Sequence, residues 1–209
     1  MRTPRDKPGW KEGFLFVGNE LVLDFLNTHP IPNGEPVELL PDFGALLRWF
    51  RAAKVLNSKE VIRLQNQWGD TPRARKITES MRKLREGLRK AILAWEHRGT
   101  LRRSTMDALN RLMLRHTMRT RLTVRGKIYS TELWFQLRKP EDLYTPLVYS
   151  AVKLFSEVDR GRVRKCDHCV LHFHDRSKKG KRRWCSMQLC GNRLKVAAYA
   201  ARQRRHAHK

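Results

Sequence analysis

The sequence predicts an α+β protein, mainly helical: an N-terminal helical domain that includes a β-hairpin, then a small C-terminal finger of treble-clef-like form. Three observations predict it. Apolar residues recur at three- and four-residue steps through most of the first 158 residues. Between residues 121 and 137 that rhythm gives way to Thr, Val, Ile, Tyr and Trp. All four cysteines lie between 166 and 190.

Asn19 is positioned to cap a short helix from Glu20 to Asn27 that carries Leu21, Leu23, Phe25 and Leu26. Pro30, Pro32, Asn33, Gly34 and Pro36 form a loop. Asp42 caps a second helix, with Phe43, Leu46, Leu47 and Phe50 on one face, and Ser58 caps a third. Thr71-Pro72 opens a long fourth helix, whose apolar residues Ile77, Met81, Leu84, Leu88, Ile92 and Trp95 make one stripe, and Gly99 ends it. Ser104 starts a fifth helix with Met106, Leu109, Leu112 and Met113. Arg121 to Arg125 and Lys127 to Leu137, separated by Gly126, form the hairpin. Pro140-Glu141-Asp142 opens a helix to about Val158. The sequence thus divides into residues 1–158, a helical domain, and 159–209, the finger.

Charge decides the class of partner. The chain has 45 Lys plus Arg against 20 Asp plus Glu, a formal charge of +25. Residues 160–209 hold 16 of those cations and only Asp167 and Asp175, a net +14. Such an excess calls for an anionic partner, and each Lys or Arg set on a phosphate releases counterions. No run of 18 apolar residues exists to span a membrane, and the basic stretch Met1 to Trp10 has no apolar signal core. The protein is therefore expected in the cytoplasm, associated with the nucleoid, with no membrane partner.

The cysteines read Cys166-Asp-His-Cys169, fifteen residues, then Cys185-Ser-Met-Gln-Leu-Cys190. Clustered thiols in a reducing compartment favour metal over disulfides. A two-residue gap lets one tight turn present two sulfurs, and four thiolates complete the tetrahedron that one structural Zn²⁺ prefers. A closed shell leaves no position for a reactive water. The fifteen intervening residues suit a hairpin, and the apolar pattern from Leu194 to Ala201 suits a helix after the second pair. His168, His172 and His174 could each replace a thiolate, but are read as hairpin or surface residues. Arg182, Arg183, Arg193 and Lys165 could offset the charge of the metal site.

Arg176, Lys178, Lys179, Lys181, Arg182 and Arg183 fall within eight residues around Gly180, dense enough to hold phosphates. Asn192 and Arg193 have the chemistry to read base edges, and Lys195 adds charge to the helix that follows.

The finger's residues resemble a known family. Phe173-x-Asp175-x-Ser177, Arg182-Arg183-Trp184-Cys185-Ser186-Met187 and Cys190-Gly191-Asn192-Arg193-x-Lys195 are similar to the CGNR zinc finger. Gly18-Asn19-Glu20-Leu21 followed by Leu23-Asp24-Phe25-Leu26-Asn27-Thr28 resembles the opening of the ABATE domain that usually precedes that finger. The resemblance implies a bacterial regulator of transcription in the stress response. It makes Cys166, Cys169, Cys185 and Cys190 the zinc ligands, and Arg182, Arg183, Asn192 and Arg193 the favoured nucleic-acid contacts. Asn19, Asp24 and Asn27 share one helical neighbourhood and could line an effector pocket, but are read in preference as capping and bracing helix ends.

A zinc-dependent, DNA-binding transcription regulator is the leading expectation, with a small-molecule effector and a homodimer as possible partners. An RNA-binding protein acting on tRNA or rRNA through the same finger is the alternative. A nucleic-acid-processing enzyme targeted by the finger ranks third. His29, Asp24, Asn27, Glu20, His97 and His116 are available to it, yet no spacing among them marks a reaction class, so no catalytic residue is assigned.

Overall fold

A computed structural model of the chain describes residues 9–31 and 34–192, together with Val196 and Gln203. Two compact units result: Leu40–Arg160, and Met1–Leu39 with Gly161–Lys209. The first is therefore inserted in the chain between the two halves of the second. The compositional boundary near Asp159 falls at the return point, while the N-terminal residues lie in the same unit as the cysteines.

The inserted unit is built from α2 (Phe43–Ala52), α3 (Ser58–Trp68), α4 (Pro72–Arg98), α5 (Arg103–Arg115), the strands β3 (Arg119–Arg125) and β4 (Ile128–Trp134), and α6 (Tyr144–Glu157). Local chemistry sets the helix ends. The Asp42 carboxylate accepts from the Ala45 amide, and Thr71 accepts from Ala74 ahead of Pro72. Gly99 closes α4 in the left-handed conformation at φ 77°. The third helix starts one residue earlier than the capping serine suggests. Asn57 is the cap, and Glu60 returns a hydrogen bond to its amide, a complete capping box. Likewise α5 begins at Arg103, with no side-chain cap. Ile77, Met81, Leu88, Ile92 and Trp95 form the buried stripe of α4 as expected, and Trp95 meets Phe155 edge-on at 5.2 Å between ring centroids. Arg85 is buried with them; its Nε lies 3.0 Å from the Glu86 carboxylate. Before α6, Pro140–Leu143 forms a 3₁₀ turn.

The other unit opens with a short ribbon, β1 (Trp10–Lys11) against β2 (Phe14–Leu15), then α1 (Leu21–Leu26). After the insertion come β5 (Val163–Lys165) and β6 (His172–His174), paired antiparallel. The hairpin expected between the cysteine pairs is thus made differently. Its second strand is β5, before Cys166, and residues 181–186 form no strand. The reason lies in Arg162 and Arg164, whose guanidinium groups occupy the backbone carbonyls of the loop after β6. Met187–Gly191 makes a π-helical turn capped by Ser186. The helix expected over 194–201 lies outside the described residues except for Val196, which is helical.

Candidate metal centre and nucleic-acid interface

The four cysteine sulfurs lie within 4.8 Å of one another. Two of the separations are 3.5 Å, Cys169 to Cys185, and 3.7 Å, Cys185 to Cys190. Zinc–sulfur bonds of ~2.3 Å in a tetrahedron place sulfurs about 3.8 Å apart, so the cluster has the dimensions of a zinc site. The donor chemistry agrees. Hydrogen bonds from Cys169 and Cys185 pull the Cys166 thiol well below its ordinary range. The bond to Cys166 in turn pushes Cys169 up to about 12 and raises Cys185 as well, and burial raises Cys190. Four sulfurs this close cannot all become thiolates without a cation to offset their charge. A divalent ion removes that conflict, since the ligating form of cysteine is the thiolate.

Local structure delivers the sulfurs. The Cys166 amide bonds the Leu171 carbonyl at 2.8 Å, closing the first turn, and Val170 adopts φ 58° to complete it. The π-helical turn carries Cys190, whose amide bonds Ser186 at 3.0 Å. Gly191 leaves room for this packing: a Cβ would lie 2.6 Å from the Met187 sulfur and 2.8 Å from the Trp184 indole nitrogen, so both side chains would have to shift. Phe173, Leu171, Leu15 and Val17 pack with the cysteines, so the metal ligands and the core of this unit are one cluster. Among the described residues the metal-ligating group contains no histidine. His172 is buried in β6, and His174 bonds Glu20.

In the basic block three arginines pair with protein groups, Arg176 and Arg183 while still exposed, and three lysines stand on the surface. Arg182 donates to the Trp184 carbonyl at 3.3 Å and to the Cys185 carbonyl, and its guanidinium sits 5.1 Å from the Phe173 ring centroid. Arg183 pairs with Asp167 at 2.8 Å, and Arg176 with Glu20 at 2.7 Å. Lys178, Lys179 and Lys181 are exposed on the intervening loop. That loop is closed at both ends by the fully buried Asp175, whose carboxylate accepts from the Ser177 amide at 2.9 Å and the Arg182 amide at 2.8 Å. Burial works against this charge, yet the Arg182 and Ser177 donors outweigh it and hold the carboxyl below its ordinary value. Arg162 donates to the Ser177 carbonyl at 2.8 Å and Arg164 to the Gly180 carbonyl at 2.9 Å. The sequence reading missed these two arginines; their alternation around the buried Val163 was the available signal. Asn192 is exposed, and Arg193 and Lys195 lie outside the described residues.

Asn19, Asp24 and Asn27 are placed on backbone. Asn27 makes both amide hydrogen bonds to His172, from its Nδ2 to the carbonyl and from the His172 amide to its Oδ1, each 2.9 Å. Asn19, at φ 62°, is not the cap of α1; its Nδ2 donates to the His174 carbonyl at 2.8 Å. Glu20 precedes the helix instead, with no side-chain cap. Asp24 accepts from the Gly18 amide at 2.7 Å, so close that a Cβ on Gly18 would lie 2.9 Å from the same oxygen.

Family models match nearly the whole chain. The CGNR zinc finger matches residues 162–203. The ABATE model, described as "Putative stress-induced transcription regulator", matches residues 19–157. The chain belongs to the ABATE family. A search of curated proteins finds no match. With the finger identified, the four-cysteine cluster is a structural zinc site. The ABATE match extends over both compact units, since its first residues, from Asn19, lie with the finger. Among the described residues no helix is long and apolar enough to cross a membrane.

Asp24 also gives the ABATE segment a pH dependence. Burial pushes its carboxyl from 3.8 up to about 7, against the opposing pull of the Gly18 and Val17 amides. The folded state then holds the proton more tightly than the unfolded one. Its stabilising contribution is fully present below the unfolded value and is lost as pH rises through the folded value. Asp24→Asn, which keeps a neutral acceptor toward Gly18, should escape that loss. With zinc in excess, the melting temperature of the variant relative to the parent is expected to climb between about pH 5 and about pH 7.5. Parallel pH profiles for the two proteins would refute this.

Proposed function

We propose that this chain is a zinc-dependent DNA-binding transcription regulator that acts by binding and has no catalytic centre of its own. The observation that carries the reading is the loop from Arg176 to Lys181. It contains no acidic residue, exposes three lysines, and is held in one shape by Asp175, Arg162 and Arg164. A preshaped cationic loop meets phosphates without first being ordered. Lys178, Lys179 and Lys181 are the phosphate contacts in this reading. Arg182 and Arg183 serve first as braces, Asn192 and Arg193 read base edges, and Lys195 adds a cation for phosphate. Asn19 and Asn27 hold β6 in place, and Asp24 fixes the Gly18 amide beside them. The inserted unit is the sensing or dimerising part, joined to the finger unit through the two chain connections at Leu39–Leu40 and Arg160–Gly161.

Crosslinking in cells, followed by sequencing of the bound nucleic acid, tests the reading, with Cys185→Ser as control. Sharp promoter peaks that vanish in the control are the expected result. Reads dominated by one structured RNA would replace the DNA reading with an RNA one.

A further inference from the structure

The hairpin of β3 and β4 pairs seven residues on each side, from Arg119↔Trp134 to Arg125↔Ile128, and turns at Gly126-Lys127. Directly opposed residues share a face. One face is largely polar, with the exposed Ile128 at its turn end: Arg121 bonds Glu132 at 2.9 Å, Thr123 meets Ser130 at 3.0 Å, and Arg119 and Arg121 lie over the Trp134 ring. The other face carries Thr120, Leu122, Val124, Tyr129, Thr131 and Leu133. Leu122 is 71% exposed, Val124 56%, Tyr129 73% and Leu133 48%. A two-stranded ribbon is marginally stable in water unless an apolar face is covered.

We infer that this face binds the same face of a second copy of the chain. Charge selects the occupant. The chain carries +25, so two copies repel across most approaches, yet this face has no ionisable group except the Tyr129 phenol. Nucleic acid requires cations on the contact surface, and the face has none. A two-fold axis lying between two such ribbons brings the apolar faces together, with one residue of the first copy meeting a different residue of the second and the reverse pair repeating it, the self-complementary arrangement of an isologous dimer. Two ribbons stacked this way make a small four-stranded sandwich. Size sets the strength. Seven residues by two strands span about 24 Å by 10 Å, roughly 240 Å² in plan. That is well below the ~800 Å² per partner of a lasting interface. The dimer is therefore weak and reversible, and a dissociation constant in the micromolar range is the expected result.

Sedimentation velocity on the zinc-loaded full chain, free of nucleic acid, tests this between about 2 and about 200 µM, a range that brackets such a constant. The expected result is a monomer–dimer transition that Leu122→Lys moves at least ~10-fold to higher concentration. Ser130→Lys adds the same charge to the opposite face and should leave the midpoint in place. Leu122 is exposed enough that its replacement leaves the fold intact, which far-UV circular dichroism checks. A parent protein that stays monomeric throughout overturns the inference, as does an equal shift by the two lysine variants or no shift by Leu122→Lys. Binding of the monomer to anionic vesicles that Leu122→Lys abolishes would overturn it in favour of a lipid surface. Because no DNA is present, the outcome is separable from that of the DNA-binding test.

Discussion

Cys185→Ser is expected to abolish stoichiometric zinc binding and to unfold the finger while the inserted unit keeps its helices. In the parent, about one zinc per chain should be found. The physical basis is that metal and core coincide. Cys166, Cys185 and Cys190 are buried with Leu15, Val17, Leu171 and Phe173, and the hydroxyl that replaces a thiolate leaves three sulfurs around an ion that needs four donors. Structural zinc contributes on the order of 10–16 kcal/mol to the folding of small zinc-finger peptides, more than the core of a unit this size supplies. The inserted unit contains no cysteine. Far-UV circular dichroism should retain the signal of α4 and α6, while Trp10 and Trp184, packed against the cysteine cluster, lose their near-UV signature. A chelator titration of the parent should reproduce this pattern and reverse on adding zinc. A variant with full metal content and an unchanged melting curve would exclude Cys185 as a ligand.

The second large effect concerns affinity. Replacing Lys178, Lys179 and Lys181 together by alanine should weaken DNA binding by on the order of a hundredfold near 0.1 M salt and leave zinc content unchanged. Three lost phosphate contacts should also flatten the slope of log K against log[salt] by about 2.7. Arg182→Ala is expected to behave differently, losing melting temperature as well as affinity, because its guanidinium supports the Cys185 carbonyl and covers Phe173. A triple variant with an unaltered salt slope would remove the lysine loop from the interface.

Much of the architecture was legible along the chain because its causes are local. The stripe of α4, the Asp42 and Thr71 caps, the Gly99 stop and the β3–β4 hairpin each follow from residues a few positions apart. The cysteine spacing belongs with them, since a tight turn and a tetrahedral ion fix it. Tertiary structure decided the rest. Cation density is visible in composition, but which cations are braces depends on Asp167, Glu20 and the Cys185 carbonyl. Asn19, Asp24 and Asn27 read as a polar cluster that could face a ligand. Two of them instead reach β6 across the insertion, Asn27 bonding a residue 145 positions away and Asn19 one 155 positions away. The pairing of β5 with β6, in place of a hairpin between the cysteine pairs, depends on the same neighbourhood. Periodicity and ligand spacing record interactions within a turn or two of chain. A hydrogen bond between segments separated by an inserted unit leaves no such record, and only the folded chain brings its two ends together.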